Sequence, residues 1–383
     1  VRRAALAVGA ALTAAVSLCA GCTGGAGGIG DSGARPAASA SPTPTASPAA
    51  SPASSGPLPD GTLLVADFGS DTVSFVDPEK GPLDSVRVGT APYGLVVDGR
   101  GRAWVATAEG VAVVDTRTRA RLGLVPYRTR NLGPVTDGEY RGGGMGIALA
   151  PDERHVYVGV NVPSGDGTLE TIDTATREVT DTAPVGRRPF DVDVSPDGRE
   201  VYATGHDSFD VTAVPTEGDG APRRMEVAPY GTEGGLGSWL KPHYAAVRPS
   251  DGRLLLPFEG ERLVVLDPAT GRSTIEDMSA NTHQHGAAIT PDGTLLVVGT
   301  GPIDPSSDDG PSLTVRAPDG AETVVPLDGP HEDVTVSADG RTAYVTGGFT
   351  RDGHWDGITV VDLETHETRR LAAGERPLGI AVL

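Results

Sequence analysis

Cysteine is nearly absent from this chain of 383 residues; its two cysteines, Cys19 and Cys22, stand close to the N-terminus. The body of the protein therefore has no disulfide framework, no thiolate metal site and no Cys-x-x-Cys-His attachment for haem. Lysine is equally scarce, at Lys80 and Lys241, so arginine carries the rest of the basic charge. Basic residues number 31 against 51 acidic ones, for a formal net charge of −20. Such a chain repels phosphates, which excludes nucleic-acid binding by bulk electrostatics. Sustained helical periodicity with paired caps is missing, which argues against a helical domain. No Gly-x-Ser-x-Gly elbow and no phosphate-binding glycine loop occurs.

The N-terminus reads as an export signal. Arg2 and Arg3 precede the apolar run AALAVGAALTAAVSL, which ends in CAGC. Small residues before a cysteine point to a lipoprotein signal over residues 1–21, with Cys22 as the lipidated first residue of the mature chain. An ordinary cleaved signal and a short membrane anchor are the alternatives. Residues 22–60 continue as a Gly-, then Ala/Ser/Pro-rich stretch, unable to bury a core and suited to a tether. The expected location is outside the cytoplasm, with lipid holding the protein to the outer face of the membrane.

Residues 61–383 repeat. GRRPFDVDVSPDGREVYATG from 186 and DGPHEDVTVSADGRTAYVTG from 328 share ten of twenty positions at an offset of 142, or three units of about 47. Each unit holds an apolar strand, a Pro-Asp-Gly type turn, a second strand, a variable loop, a third strand, an Asp-x-x-Thr turn and a fourth strand. Six complete units begin near residues 89, 135, 186, 232, 279 and 328. The C-terminal ERPLGIAVL and the N-terminal segment from 61 supply the parts of a seventh. The expected fold is all-β: a seven-bladed propeller whose last strand pairs with the first strands of the domain. Such a closed ring is expected to be monomeric.

Tyr202-Ala203-Thr204-Gly205 and Tyr344-Val345-Thr346-Gly347 stand where the namesake motif of YVTN-type propeller repeats falls. The chain resembles that family of bacterial surface and periplasmic proteins over residues 61–383. The resemblance implies the propeller fold and a binding protein of unspecified ligand.

In a propeller the first strand of each blade lines the central channel. The residue opening that strand is, in order, Tyr93, Met145, Phe190, His243, His285 and Glu332, with Leu378 completing the ring. Three consecutive blades thus present His, His and Glu at one mouth. His331 stands one residue before Glu332, and His283 two before His285. His206 and His354 fall in loops that open on the same face. Imidazoles with a carboxylate suit Zn²⁺ or Cu²⁺; without thiolate ligands, soft Cu⁺ is a poorer match. The expected metal set is His243, His285, His331, Glu332 and His283. Around it, His206, His354, Tyr93, Phe190, Trp239, Trp355 and Arg141 form an expected rim for a small ligand or a partner protein. The acidic stretch at 306–310 lacks the ligand spacing of a calcium loop and reads as solvated.

Three functions compete. The first is a lipid-anchored binding protein with its ligand or metal on the histidine-rich face. The second follows from a partial resemblance to lactonase and muconate-cyclising propellers, which carry histidines just before the inner strand, as in GPHEDVTVSADG and THQHGAAITPDG. It implies His285 or His331 as general acid or base beside Glu332. The arginine that would hold an acidic substrate beside these histidines is absent from both stretches. The third is an interaction scaffold.

Overall fold

The computed structural model describes residues 57–218, 220–227, 241–258, 262–348 and 353–383. The export signal, Cys22, the tether up to residue 56 and Trp239 lie outside the described residues. The described residues form seven four-stranded antiparallel sheets and contain no helix.

Six inner strands open successive blades: β4 (Leu95–Val97), β8 (Gly143–Leu149), β12 (Pro189–Val194), β16 (Ala246–Val247), β20 (Gln284–Ile289) and β24 (Val334–Val336). The seventh is β28 (Pro377–Val382), the last strand of the chain. It pairs antiparallel with β1 (Leu63–Asp67), setting Leu63 opposite Val382 and Leu64 opposite Ala381. β2 (Thr72–Asp77) and β3 (Gly81–Arg87) complete that blade. The inner strands pack one on the next around a closed circle, β28 to β4, β8, β12, β16, β20, β24 and back to β28. The chain is a seven-bladed β-propeller. We count the closing blade as blade one, so β4 opens blade two and β24 opens blade seven.

Local chemistry explains the elements. Blades are covered on both faces, so their central strands are apolar throughout; LLVAD of β1 is buried at every position. Seven apolar layers fill the gaps between neighbouring blades; Tyr202 and Phe209 of blade four, for example, pack on Leu254, Leu256 and Phe258 of blade five. The turn from third to fourth strand is tied by an aspartate: Asp173 Oδ1 accepts the Ala175 and Thr176 amides at 2.9 and 2.7 Å, and Asp115 and Asp362 do the same.

Close packing of the inner strands has its own requirement. The second residue of the inner run is Gly94, Gly146, Gly286 or Gly379 in four blades. Gly94, Gly286 and Gly379 donate backbone hydrogen bonds to the next blade, at Met145, Glu332 and Tyr93 carbonyls, 3.3, 2.9 and 3.0 Å away. A Cβ on Gly146 would lie 2.5 Å from the Asp191 Cα, so the strands approach this closely only without a side chain.

Candidate metal centre

The ring of residues at the channel mouth divides in two. Leu378, Tyr93, Met145 and Phe190 pack together as an apolar plug with Phe68 and Ala91. The remaining arc carries His243, His285 and Glu332, all buried. His283, the residue just before β20, joins them. Its backbone is fixed by bonds to Gly301 and Thr300, at 2.9 and 2.8 Å. The β20 ladder is bulged between Gln284 and Ala287, which re-aims the chain at this point.

His243, His283 and His285 form a compact group: one ring nitrogen from each lies within 4.8 Å of the other two. The Nε2 atoms of His283 and His285 are 3.3 Å apart. Two nitrogens bound to one tetrahedral Zn²⁺ at about 2.0–2.1 Å would be separated by about 3.3–3.4 Å, so the pair already has that bite. The rings of His243 and His285 stack with centroids 3.9 Å apart. His243 Nδ1 is buried and makes no hydrogen bond among the described residues.

Carboxylates back the imidazoles. Glu332 Oε2 is 3.1 Å from His285 Nδ1, and the Tyr244 hydroxyl donates to Oε1 at 3.0 Å. His206 reaches the group from the loop after β13 (Glu200–Gly205). Its Nε2 is 3.2 Å from His243 Nε2, and its Nδ1 is 2.9 Å from Asp207 Oδ1. Arg188 and Lys241 also hold Asp207, each at 2.9 Å. With both carboxylates ionised, His285 and His206 keep their protons on Nδ1 and turn lone pairs inward from Nε2. His243 then donates from Nε2 to His206, leaving its Nδ1 lone pair for a ligand. This is the outer-shell pattern that orients metal-binding histidines.

Burial favours the neutral forms of His206 and His243. It pushes His206 down to about 4, against the pull of Asp207. It holds His243 well below the ordinary histidine range, helped by repulsion from His285, His206 and His283. Burial also raises Glu332 well above the carboxylate range, against the Tyr244 hydrogen bond. Neutral imidazole is the ligating form, and a dication nearby would favour the ionised Glu332.

The other expected site residues are placed as follows. His331 stands apart from the group: its Nδ1 meets the Gly329 carbonyl at 2.8 Å and its Nε2 meets Thr359 Oγ1 at 2.7 Å. Glu332 sits behind His285, not among the three grouped ligands. Phe190 is the wall of the pocket, its ring 5.4 Å from those of His206 and His243. Tyr93 is buried in the plug, and Arg141 is buried as a clamp on the carbonyls of Ala91, Gly142 and Gly144. Trp355 packs against Gly347, Gly357 and the His331 ring, and His354 is exposed.

Sequence reasoning missed Asp207, Arg188, Lys241 and Tyr244. Asp207 follows His206 directly, a signal that was available. Arg188 supplies, from the loop before β12, a cation of the kind absent beside the histidines in sequence; its guanidinium also lies 3.7 Å over the Tyr140 ring.

No protein-family model matches the chain, and no curated protein matches it in sequence. Solved structures match it in fold. A functionally unknown protein from Desulfotomaculum acetoxidans is 10% identical, with TM-score 0.64, over 84% of this chain and 99% of its own. The periplasmic gluconolactonase of Pseudomonas aeruginosa is 15% identical, with TM-score 0.59, over 84% and 99%. A catalytically inactive virginiamycin B lyase from Staphylococcus aureus, with quinupristin, is 14% identical, with TM-score 0.57, over 84% and 95%. At these identities the likeness is one of fold.

Proposed function

We propose that this chain is a YVTN-type, lipid-anchored propeller that binds a Zn²⁺ or Cu²⁺ ion outside the cytoplasm, on His243, His283 and His285. One observation carries the reading: three buried imidazoles from two blades, within 4.8 Å of one another, with His285 backed by Glu332. The anchor rests on the CAGC stretch at Cys22, and the location follows from it. The test is metal content of the purified, untagged full-length protein and of a His243→Ala/His283→Ala variant. About one Zn or Cu per chain, absent from the variant, is the expected result. Equal metal in both proteins, or none after titration with Zn²⁺ and Cu²⁺, would remove the reading.

A second reading is favoured by the cations beside His206. Arg188 and Lys241 outweigh Asp207 by one charge at the edge of the histidine group. That arrangement suits an anionic substrate, and His285 beside Glu332 suits proton transfer in opening a lactone. Activity on a lactone panel that disappears in His285→Ala would select this reading.

A further inference from the structure

Beneath the plug, the channel holds a partly open cavity of about 170 Å³ lined in part by Phe190 and Tyr244, whose rings also meet those of His243 and His285. Three carboxylates line it: Asp191 and Asp193 of blade four and Asp333 of blade seven. Among the described residues, no lysine, arginine or histidine does.

Two of the carboxylates have structural duties. Asp191 accepts the amides of Val192 and of Ala245 in the next blade, both at 2.9 Å. Asp333 accepts the Val334 amide at 2.8 Å. Asp193 has none: its Oδ2 is buried in the channel with no hydrogen-bond partner among the described residues. The corresponding inner-strand positions of the other blades are Val96, Ala148, Ala246, Ala288, Thr335 and Ala381, so the carboxylate is peculiar to this blade. A buried carboxylate oxygen with no donor, beside two more carboxylates, is either protonated or met by a cation.

We propose that this cavity is a second cation site, holding a hydrated hard divalent cation, Mg²⁺ or Ca²⁺, between Asp191, Asp193 and Asp333. The donors are all oxygen, which suits a hard ion and not the metal of the imidazole group. Among the described residues, only the three histidines bring three metal-ligating groups within 4.8 Å, so the aspartates do not close on a bare ion. Waters complete the shell, and the cavity has room for them. Burial pushes Asp191 to about 6 and Asp333 to about 7, in keeping with carboxylates that lack a compensating charge.

Tyr93 and Tyr244 line the same cavity and provide the readout. Terbium(III) substitutes for hard divalent ions and emits when a neighbouring excited tyrosine transfers energy to it. The full-length protein is expected to give tyrosine-sensitised terbium emission that excess Ca²⁺ or Mg²⁺ suppresses. Asp193→Asn, nearly isosteric, should reduce it to the free-ion level while melting as a folded protein, and Asp333→Asn should weaken it. His243→Ala/His283→Ala should leave it unchanged, which separates this site from the imidazole group. No sensitised emission from the wild type, or emission unaltered in both aspartate variants, would overturn the proposal.

Discussion

His285 of blade six and Glu332 of blade seven meet across the blade boundary, Nδ1 to Oε2, at 3.1 Å. The contact fixes which imidazole nitrogen faces His283, and the Tyr244 hydroxyl holds the other carboxylate oxygen. Glu332→Gln keeps the shape but removes the charge that a bound dication would stabilise. It should weaken Zn²⁺ binding by roughly 10–100-fold, the usual effect of losing an outer-shell partner. Competition with a chromogenic chelator measures this, and unchanged affinity would detach Glu332 from the metal.

His331 should behave in the opposite way. Both its ring nitrogens are engaged, by Gly329 and Thr359, and it is fully buried. His331→Ala leaves those polar partners unsatisfied and opens a void. A loss of roughly 1–3 kcal/mol in denaturant unfolding is expected, with metal stoichiometry unchanged.

The contrast between these histidines shows what was legible in the sequence. The propeller was, because its repeat, its aspartate turns and its apolar strands are all local signals. The channel-mouth positions of His243, His285 and Glu332 followed from the same register. His283 precedes β20 and His285 lies in its bulge, so their meeting depends on the local backbone path, whereas His331, one residue off the register, turns to Gly329 and Thr359. The contacts of His206 with His243 and of Lys241 with Asp207 join loops of different blades, and Arg188 meets Asp207 between two loops of one blade; no local pattern encodes such meetings. Arg141 likewise looks like a rim residue in sequence but is drawn inward by the Ala91 carbonyl.

The inner-strand glycines are a packing requirement that a single methyl group tests. At Gly146 the added Cβ would meet the Asp191 backbone at 2.5 Å, where no side chain can swing away. Gly146→Ala should therefore cost roughly 1–3 kcal/mol, the range for overpacking, despite the entropy that alanine removes from the unfolded chain. Gly123→Ala, where a Cβ meets nothing within 4 Å, is the control. Equal stability of the two variants would show that the blades can separate to admit the methyl group.

The closing blade contains a group that makes stability depend on pH. Asp67, at the end of β1, is fully buried; its Oδ2 accepts the Ser74 and Thr72 hydroxyls at 2.6 and 2.9 Å, while Oδ1 has no partner. Burial pushes its carboxyl up to about 7, against those hydrogen bonds. In the unfolded chain it titrates near 4, so between about pH 4 and 7 the folded state binds more protons. Its contribution to stability is therefore complete below about pH 4 and lost as pH rises through 7. His206 and His331, held neutral to about 4, act in the opposite sense: they cost stability as pH falls from about 6.5. Comparing wild type with Asp67→Asn at each pH cancels their effect. From pH 5 to pH 8 the wild type should lose roughly 2–3 kcal/mol more than the variant, read from denaturant midpoints. Parallel curves would mean that Asp67 stays ionised inside the blade, its charge met by Ser74, Thr72 and the nearby Gly374 backbone.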